Sequence, residues 1–370
     1  MARNIPEGLY SITAGQFEAI HTPVMKEIRS KEYVYFGEDN LYPQKMIELY
    51  DSSAMHHTAI QAIKDGIIGE GIKNIGGEYV NSQGETIDEL FEKIALDYAL
   101  YQGYALNVVW NKEGSRIAEV YHLPFANVRS GKMSEEDTID EYFYSSDWTN
   151  TRKYKPQAYR AFDATDNKKD NASQIYYCMS YTPGNDYYPL PAYVGAVNDI
   201  DLDARVSRFH NANISNGLAP SMFVQFRNGV PTPEERRDIY REIEETFSGE
   251  DNAGRFFLAF SEPGKELEVT PIENANDDYY ITLEQRISSR ILTAHRITSP
   301  LLLGIKDAAG FSNNADEIKI AYAHFEGTVI EPKRKKILSS LGYILRLHGL
   351  NVSLEVQPSE IIVENTKIEE

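Results

Sequence analysis

The chain has 370 residues, 42% hydrophobic and 25% charged, enough to bury a sizeable core and too apolar for wholesale disorder. Its formal net charge is −19 at pH 7, the wrong sign for a protein that grips nucleic acid by neutralising phosphates over a basic face. The lone Cys178 excludes an intrachain disulfide framework and any multi-cysteine metal site. No apolar h-region opens the sequence and no run reaches the roughly 18 apolar residues of a bilayer span, so the expectation is a chain made and used in a reducing cytosol, away from membranes.

In chain order, a turn at Gly37-Glu38-Asp39-Asn40 precedes Pro43, and Ser53–Ile67 reads as a helix with Ala59, Ile60, Ile63 and Ile67 on one face. Gly66, Gly69 and Gly71 follow that helix. With no strand before them and no Gly-Lys-Ser/Thr, they read as a helix end rather than a phosphate cradle. Glu85–Gln102 is a second helix, with Ile87, Phe91, Ile94 and Tyr98 aligned. Strands are expected at Tyr104–Trp110, Ile117–His122, Glu141–Ser145 and Ser173–Tyr181, with a polar loop at Asp163–Asn171. The mixture makes the fold class α+β.

The second half is simpler. A long helix is expected at Tyr193–Gly217, then a compact β-α-β-β unit: strand Ser221–Phe226, helix Pro233–Phe247, strands Arg255–Phe260 and Glu266–Ile272. Thr232 and Glu235 cap that helix, and Ile239, Ile243 and Phe247 are its buried stripe. The next helix carries Leu283, Ile287, Ile291 and Ala294 on one face and is expected to stop at Ser299-Pro300, because a residue before proline leaves helical geometry. A Gly/Ala/Asn-rich loop from Gly304 to Asn313 leads to a helix with Asn314 and Glu317 at capping-box spacing and a kink at Pro332. Asn351–Val363 reads as a closing strand.

Little here suggests catalysis. Asp199, Asp201 and Asp203 lie two apart on a helix, about 200° from one neighbour to the next, and do not converge on a metal. His56 and His57 diverge for the same reason, and His295 at a helix end is expected to satisfy terminal carbonyls. No nucleophile elbow, Cys/His pair or paired-carboxylate signature is present, so the expectation is a protein that is not an enzyme and takes no cofactor or metal. Tyrosine is abundant, at 25 copies, with close pairs such as Tyr142/Tyr144, Tyr176/Tyr177 and Tyr187/Tyr188. Part of this excess points to contacts between copies.

The ordered set Ile291, Ile297, Pro300, Leu303-Gly304, Gly310-Phe311, Asn314, Glu317, Phe325, Thr328 and Pro332 resembles the segment of tailed-bacteriophage portal proteins in which a stem helix ends, a tunnel loop projects and a long kinked helix returns. The string YQGYALNVVWNKEGSRIAEVYHLPFANV resembles the portal wing hairpin, FGEDNLYPQKMIELYDSS the entry motif, and the β-α-β-β insertion the clip. The resemblance implies a wing over 1–190 that 349–370 rejoins, stem helices at 191–217 and 275–298, and a clip at 218–274. It further implies a tunnel loop at 299–314 and a kinked helix at 315–348, with the crown short or absent.

The same resemblance implies a homo-oligomer, a dodecameric ring at one capsid vertex through which double-stranded DNA is packaged and ejected without sequence preference. Its partners would be the major capsid protein, the terminase large subunit and a head–tail adaptor. It would be assembled in the host cytoplasm and reside in the virion. Lys306, Asp307, Ala308, Ala309, Gly310, Phe311, Ser312 and Asn313 would form the loop facing DNA. Glu244, Glu245, Glu250 and Asp251 either form an acidic clip wall that repels phosphates or simply solvate the outer clip. Lys333, Arg334, Lys335 and Lys336 could touch DNA or neutralise acidic neighbours at subunit contacts, with the second favoured. Two other readings stand beside this one: another phage adaptor ring protein, and a metal-dependent DNA-processing enzyme.

Overall fold

The helices at Ala54–Ile68 and Ile87–Tyr101 form where an apolar stripe meets a capping residue. The computed structural model describes residues 23–165, 173–215, 222–226, 256–260, 277–305, 315–350 and 353–357, with single positions at 232, 234, 237 and 238. Strands β1 (Met25–Glu27) and β2 (Val34–Phe36) pair antiparallel ahead of α1 (Tyr42–Ser52), which has Pro43 in its first turn. Ser53 caps α2 (Ala54–Ile68), its Oγ accepting the His56 N–H at 3.2 Å. Thr86 and Glu89 form a complete capping box on α3 (Ile87–Tyr101). All the stripe residues expected on α2 and α3 are buried in one shared core.

The main sheet has six strands: β3 (Gly103–Trp110), β4 (Ile117–Leu123), β5 (Val128–Ser130), β6 (Glu141–Tyr144), β7 (Gln157–Ala161) and β8 (Ser173–Met179). Their order is β4-β3-β8-β7-β6-β5, with only the β7–β8 neighbours parallel. Members of the close tyrosine pairs pack the body around the sheet. Tyr142 stacks on Tyr177 with ring centroids 4.7 Å apart, and Tyr188 stacks on Phe36 at 4.2 Å. Aromatic rings bury large apolar areas while a hydroxyl finds a carbonyl, as Tyr193 does with Leu100 O at 2.9 Å. Cys178 is a buried strand residue whose thiol pKa is raised by burial.

Arg129 on β5 holds the first elements to the sheet. It is fully buried, and its Nε donates to Asn40 Oδ1, its Nη1 to the carbonyls of Ala126 and Val128, and its Nη2 to Asn40 O and Gln44 Oε1. Five donors therefore meet five oxygens, and the Trp148 ring lies 4.8 Å from the guanidinium carbon. Burial pulls its pKa down to about 10, which leaves the group charged at neutral pH.

The second half departs from the expected pattern in three places. The helix expected from Tyr193 starts as a tight 3-10 turn, Val194–Ala196, and continues as α4 (Val197–Ser215). Strands β9 (Met222–Phe226) and β10 (Phe256–Phe260) pair with each other in parallel, which occupies one edge of each. The backbone between them is helical at Glu234, Arg237 and Asp238.

Helix α5 (Asp277–Ala294) ends ahead of Ser299-Pro300. Arg296 turns left-handed at φ 59°, Ile297 N–H reaches Leu292 O and Arg296 N–H reaches Thr293 O, the paired bonds of a Schellman stop. Proline is not what terminates it; Pro300 instead opens a 3-10 turn, Pro300–Leu303.

Helix α6 (Ala315–Phe325), a π-turn (Glu326–Ile330) and α7 (Glu331–His348) complete the helical part. The strand expected at the C-terminus is, in its described residues, only a bridge between Val356 and Ile72 with flanking bonds to residues 70, 71 and 73. That contact explains Gly69: at φ 56° a Cβ there would sit 2.3 Å from Gln357 O.

Candidate functional site

Of the residues singled out in advance, Lys306–Asn313 and the four acids Glu244, Glu245, Glu250 and Asp251 lie outside the described residues. The described chain frames the first group on both sides. Before it, Ser299 Oγ accepts the Leu301 N–H and Gly304 closes the Pro300–Leu303 turn in left-handed geometry at φ 72°. After it, α6 packs against that same turn.

The three aspartates of α4 diverge as expected but are not merely solvated. Asp199 Oδ1 lies 3.1 Å from Arg290 Nη1 on α5, Asp201 pairs with Arg205 at 2.6 Å, and Asp203 accepts from Ser53 Oγ at 2.7 Å. Asp199 and Asp203 tie α4 to α5 and to the cap of α2, and Asp201 pairs within α4, so their chemistry is structural. Among the described residues no group of three or more His, Cys, Asp or Glu could hold a metal, and no helix is long and apolar enough to cross a membrane.

The basic cluster after Pro332 divides in two. Lys335 and Lys336 are exposed. Arg334 points inward, its Nε donating to Ile67 O at 3.1 Å, its Nη2 to Gly66 O and its Nη1 to Glu326 Oε1 at 2.6 Å. It caps the C-terminal carbonyls of α2, a role that the favoured reading of inter-copy neutralisation does not cover. Lys333 is half-buried over the Tyr98 ring, and burial with Arg296 nearby lowers its pKa to about 8.

His295 does not cap helix carbonyls with its ring. Its Nε2 lies 2.9 Å from His56 Nδ1, and both rings pack on Tyr193. The two histidines are 4% and 0% exposed, and burial depresses both pKa values, so both are neutral at pH 7. Nothing local in the sequence marks this contact, since the partners are 239 residues apart.

Several large apolar side chains on the helices face solvent: Leu202 and Phe209 on α4, Ile281 on α5 and Ile320 on α6, the last 70% exposed. Leu202 and Phe209 are seven residues apart, hence on one face of α4.

Comparison with known proteins bears on this arrangement. A 144-residue stretch is 28% identical to an uncharacterised protein of Rickettsia bellii (strain RML369-C), covering 38% of this chain and 36% of that protein. An uncharacterised protein of Rickettsia felis (strain ATCC VR-1525 / URRWXCal2) is 26% identical over 310 residues, 82% of this chain and 73% of that one. The chain thus spans about a third of the first relative's length and most of the second's. In fold it is similar to a chain of the neck of a native gene transfer agent particle, computed with C12 symmetry, at a TM-score of 0.54 and 20% identity over 86% of this chain and 84% of that one. The family model described as "Phage portal protein" matches residues 81–356, well over half of the sequence. The chain belongs to the phage portal protein family.

Proposed function

We propose that the protein is the subunit of a dodecameric portal ring, a conduit for double-stranded DNA that also docks a packaging motor and a head–tail adaptor. The observation that carries this reading is the family match over residues 81–356, which spans the sheet and every long helix after it. The fold-level likeness to a chain in a C12 neck supports the ring and its order. In this reading the sheet and α1–α3 form the wing, α4 and α5 the stem, residues 218–274 the clip and 306–313 the loop nearest DNA.

The exposed apolar residues of the helices fit a head-to-tail contact between copies. A closed ring needs two different surfaces on each subunit, and Leu202, Phe209, Ile281 and Ile320 supply exposed apolar area on the helices. Phe209→Glu and Ile320→Glu should each shift the protein from a large assembly to single copies in sedimentation, with helix content by circular dichroism unchanged. If both variants assemble like the parent chain, these residues are not at the contact.

The acids of the clip then face the passing duplex. A wall of carboxylates weakens phosphate binding and lets DNA slide. Neutralising Glu244, Glu245, Glu250 and Asp251 together should raise affinity for double-stranded DNA at low salt. Unchanged affinity would leave these four as ordinary solvated charges. An adaptor ring of the same family would assemble equally well but would not stimulate a packaging motor's ATPase, which separates that reading from this one.

A further inference from the structure

Helices α6 and α7 are one helix broken at an elbow, and the break has a cause in the sequence. Pro332 has no N–H for the Thr328 carbonyl, and its ring would collide with that carbonyl in regular α geometry. The preceding turn is widened instead, so that the Glu331 N–H reaches Glu326 O, five residues back.

The two arms differ in how they are held. α7 is anchored, with Ile337, Leu341, Ile344 and Leu345 buried and Ser340 Oγ at 2.6 Å from Tyr104 OH on the sheet. α6 is the lighter arm: Lys319, Ile320, Ala323 and His324 are exposed, and it packs on the π-turn and the Pro300–Leu303 turn. Within the elbow Val329 and Ile330 are buried, and Ile330 sits so close to Gly66 that a Cβ there would lie 2.8 Å from Ile330 Cδ1. Gly327, by contrast, is exposed with open space around it.

We infer that Glu326 and Arg334 form a clamp that sets the direction of α6 at this elbow, with Gly327 as the pivot. Arg334 is fixed independently, because two of its donors hold the last carbonyls of α2, Gly66 O and Ile67 O. Its Nη1 donates to the Glu326 carboxylate at 2.6 Å. Glu326 Oε2 is buried and has no hydrogen-bond partner among the described residues, so Arg334 supplies the carboxylate's hydrogen bond. The fork geometry of arginine lets one side chain bind two backbone carbonyls and a carboxylate together.

Opening the clamp therefore frees α6 while leaving α2, α7 and the buried half of the elbow in place. The meaning of this for a tunnel rests on the proposed portal function; the mechanical claim does not.

The test is hydrogen–deuterium exchange on the full chain, read by peptide. Glu326→Gln keeps the shape and removes the charge; amides of residues 315–325 should exchange at least about tenfold faster, with residues 331–348 unchanged. Gly327→Ala restricts the pivot without a clash and should slow exchange in residues 315–325. Equal acceleration in α6 and α7 by Glu326→Gln would mean general destabilisation and would overturn the clamp, as would no change in either variant. Neither readout depends on ring formation, so failure here leaves the ring reading intact, and an absence of rings leaves the clamp intact.

Discussion

His56 Nδ1 and His295 Nε2 are 2.9 Å apart, which ties α2 to the residue just after α5. Only one proton fits between the two rings, and the Lys333 charge beside His295 opposes a further one there. Protonating either ring would bring a charge into a buried site.

Acid should loosen this joint. His295 is lowered from 6.5 to about 4, and His56 is lowered as well, chiefly by burial. The unfolded chain therefore binds more protons than the folded one below about pH 6.5. The pair's contribution to stability should be constant above that value and fall as the pH drops towards about 4, by roughly 1.4 kcal/mol per pH unit for each histidine kept neutral. His295→Gln should flatten this slope in urea melts taken between those limits. An equally steep slope in the variant would assign the acid sensitivity elsewhere.

The Arg129 cage predicts a large loss from a substitution that keeps the charge. Arg129→Lys retains a cation but replaces five planar donors with three, so carbonyls of Asn40, Ala126 or Val128 lose their partners. The expected cost is about 3 kcal/mol or more in denaturant unfolding, from buried groups left unsatisfied. A cost below about 1 kcal/mol would show that the cage relaxes around lysine.

Gly69→Ala should cost about 2–4 kcal/mol, because a Cβ at φ 56° meets Gln357 O at 2.3 Å. The damage should be local as well as global. Protection of the amides of Glu70, Lys73 and Gln357, which bond across this seam, should drop first in hydrogen exchange. Uniform protection loss across the body would contradict that seam model.

The tie between Asp199 and Arg290 should matter little. Arg290 is 72% exposed, and solvent-exposed ion pairs contribute about 0–1 kcal/mol. Ser53→Ala should exceed it at about 1–2 kcal/mol, since Ser53 both caps α2 and donates to Asp203. Comparing the two variants by thermal unfolding checks this order, and an equal loss would mean the α4–α5 pair is more protected than its exposure implies.

Much of the helical frame is legible in the sequence because its signals are local. Thr86 and Glu89, three apart, announce α3, and the stripe Ala59, Ile60, Ile63 and Ile67 announces α2. The short strands β1, β2 and β5 are only three residues long, and none shows an alternation that distinguishes it from a loop. Arg296 ends α5 in a conformation usually given to glycine, so the proline six residues beyond Ala294 attracts the prediction instead.

Contacts of great sequence separation are the least visible. His56 with His295, Arg129 with Asn40 and Arg334 with Gly66 each need the fold before the partners meet. Adjacent lysines and arginines at 333–336 look alike in the sequence, yet helix geometry turns Arg334 inward and leaves Lys335 and Lys336 in solvent.

The ring is the central claim, and electron microscopy of the purified full chain tests it most directly. Negatively stained particles at two concentrations should include rings with a central hole, and class averages should show twelvefold rotational symmetry. Single copies alone at both concentrations, or closed rings without a central hole, would contradict a DNA conduit built from this chain.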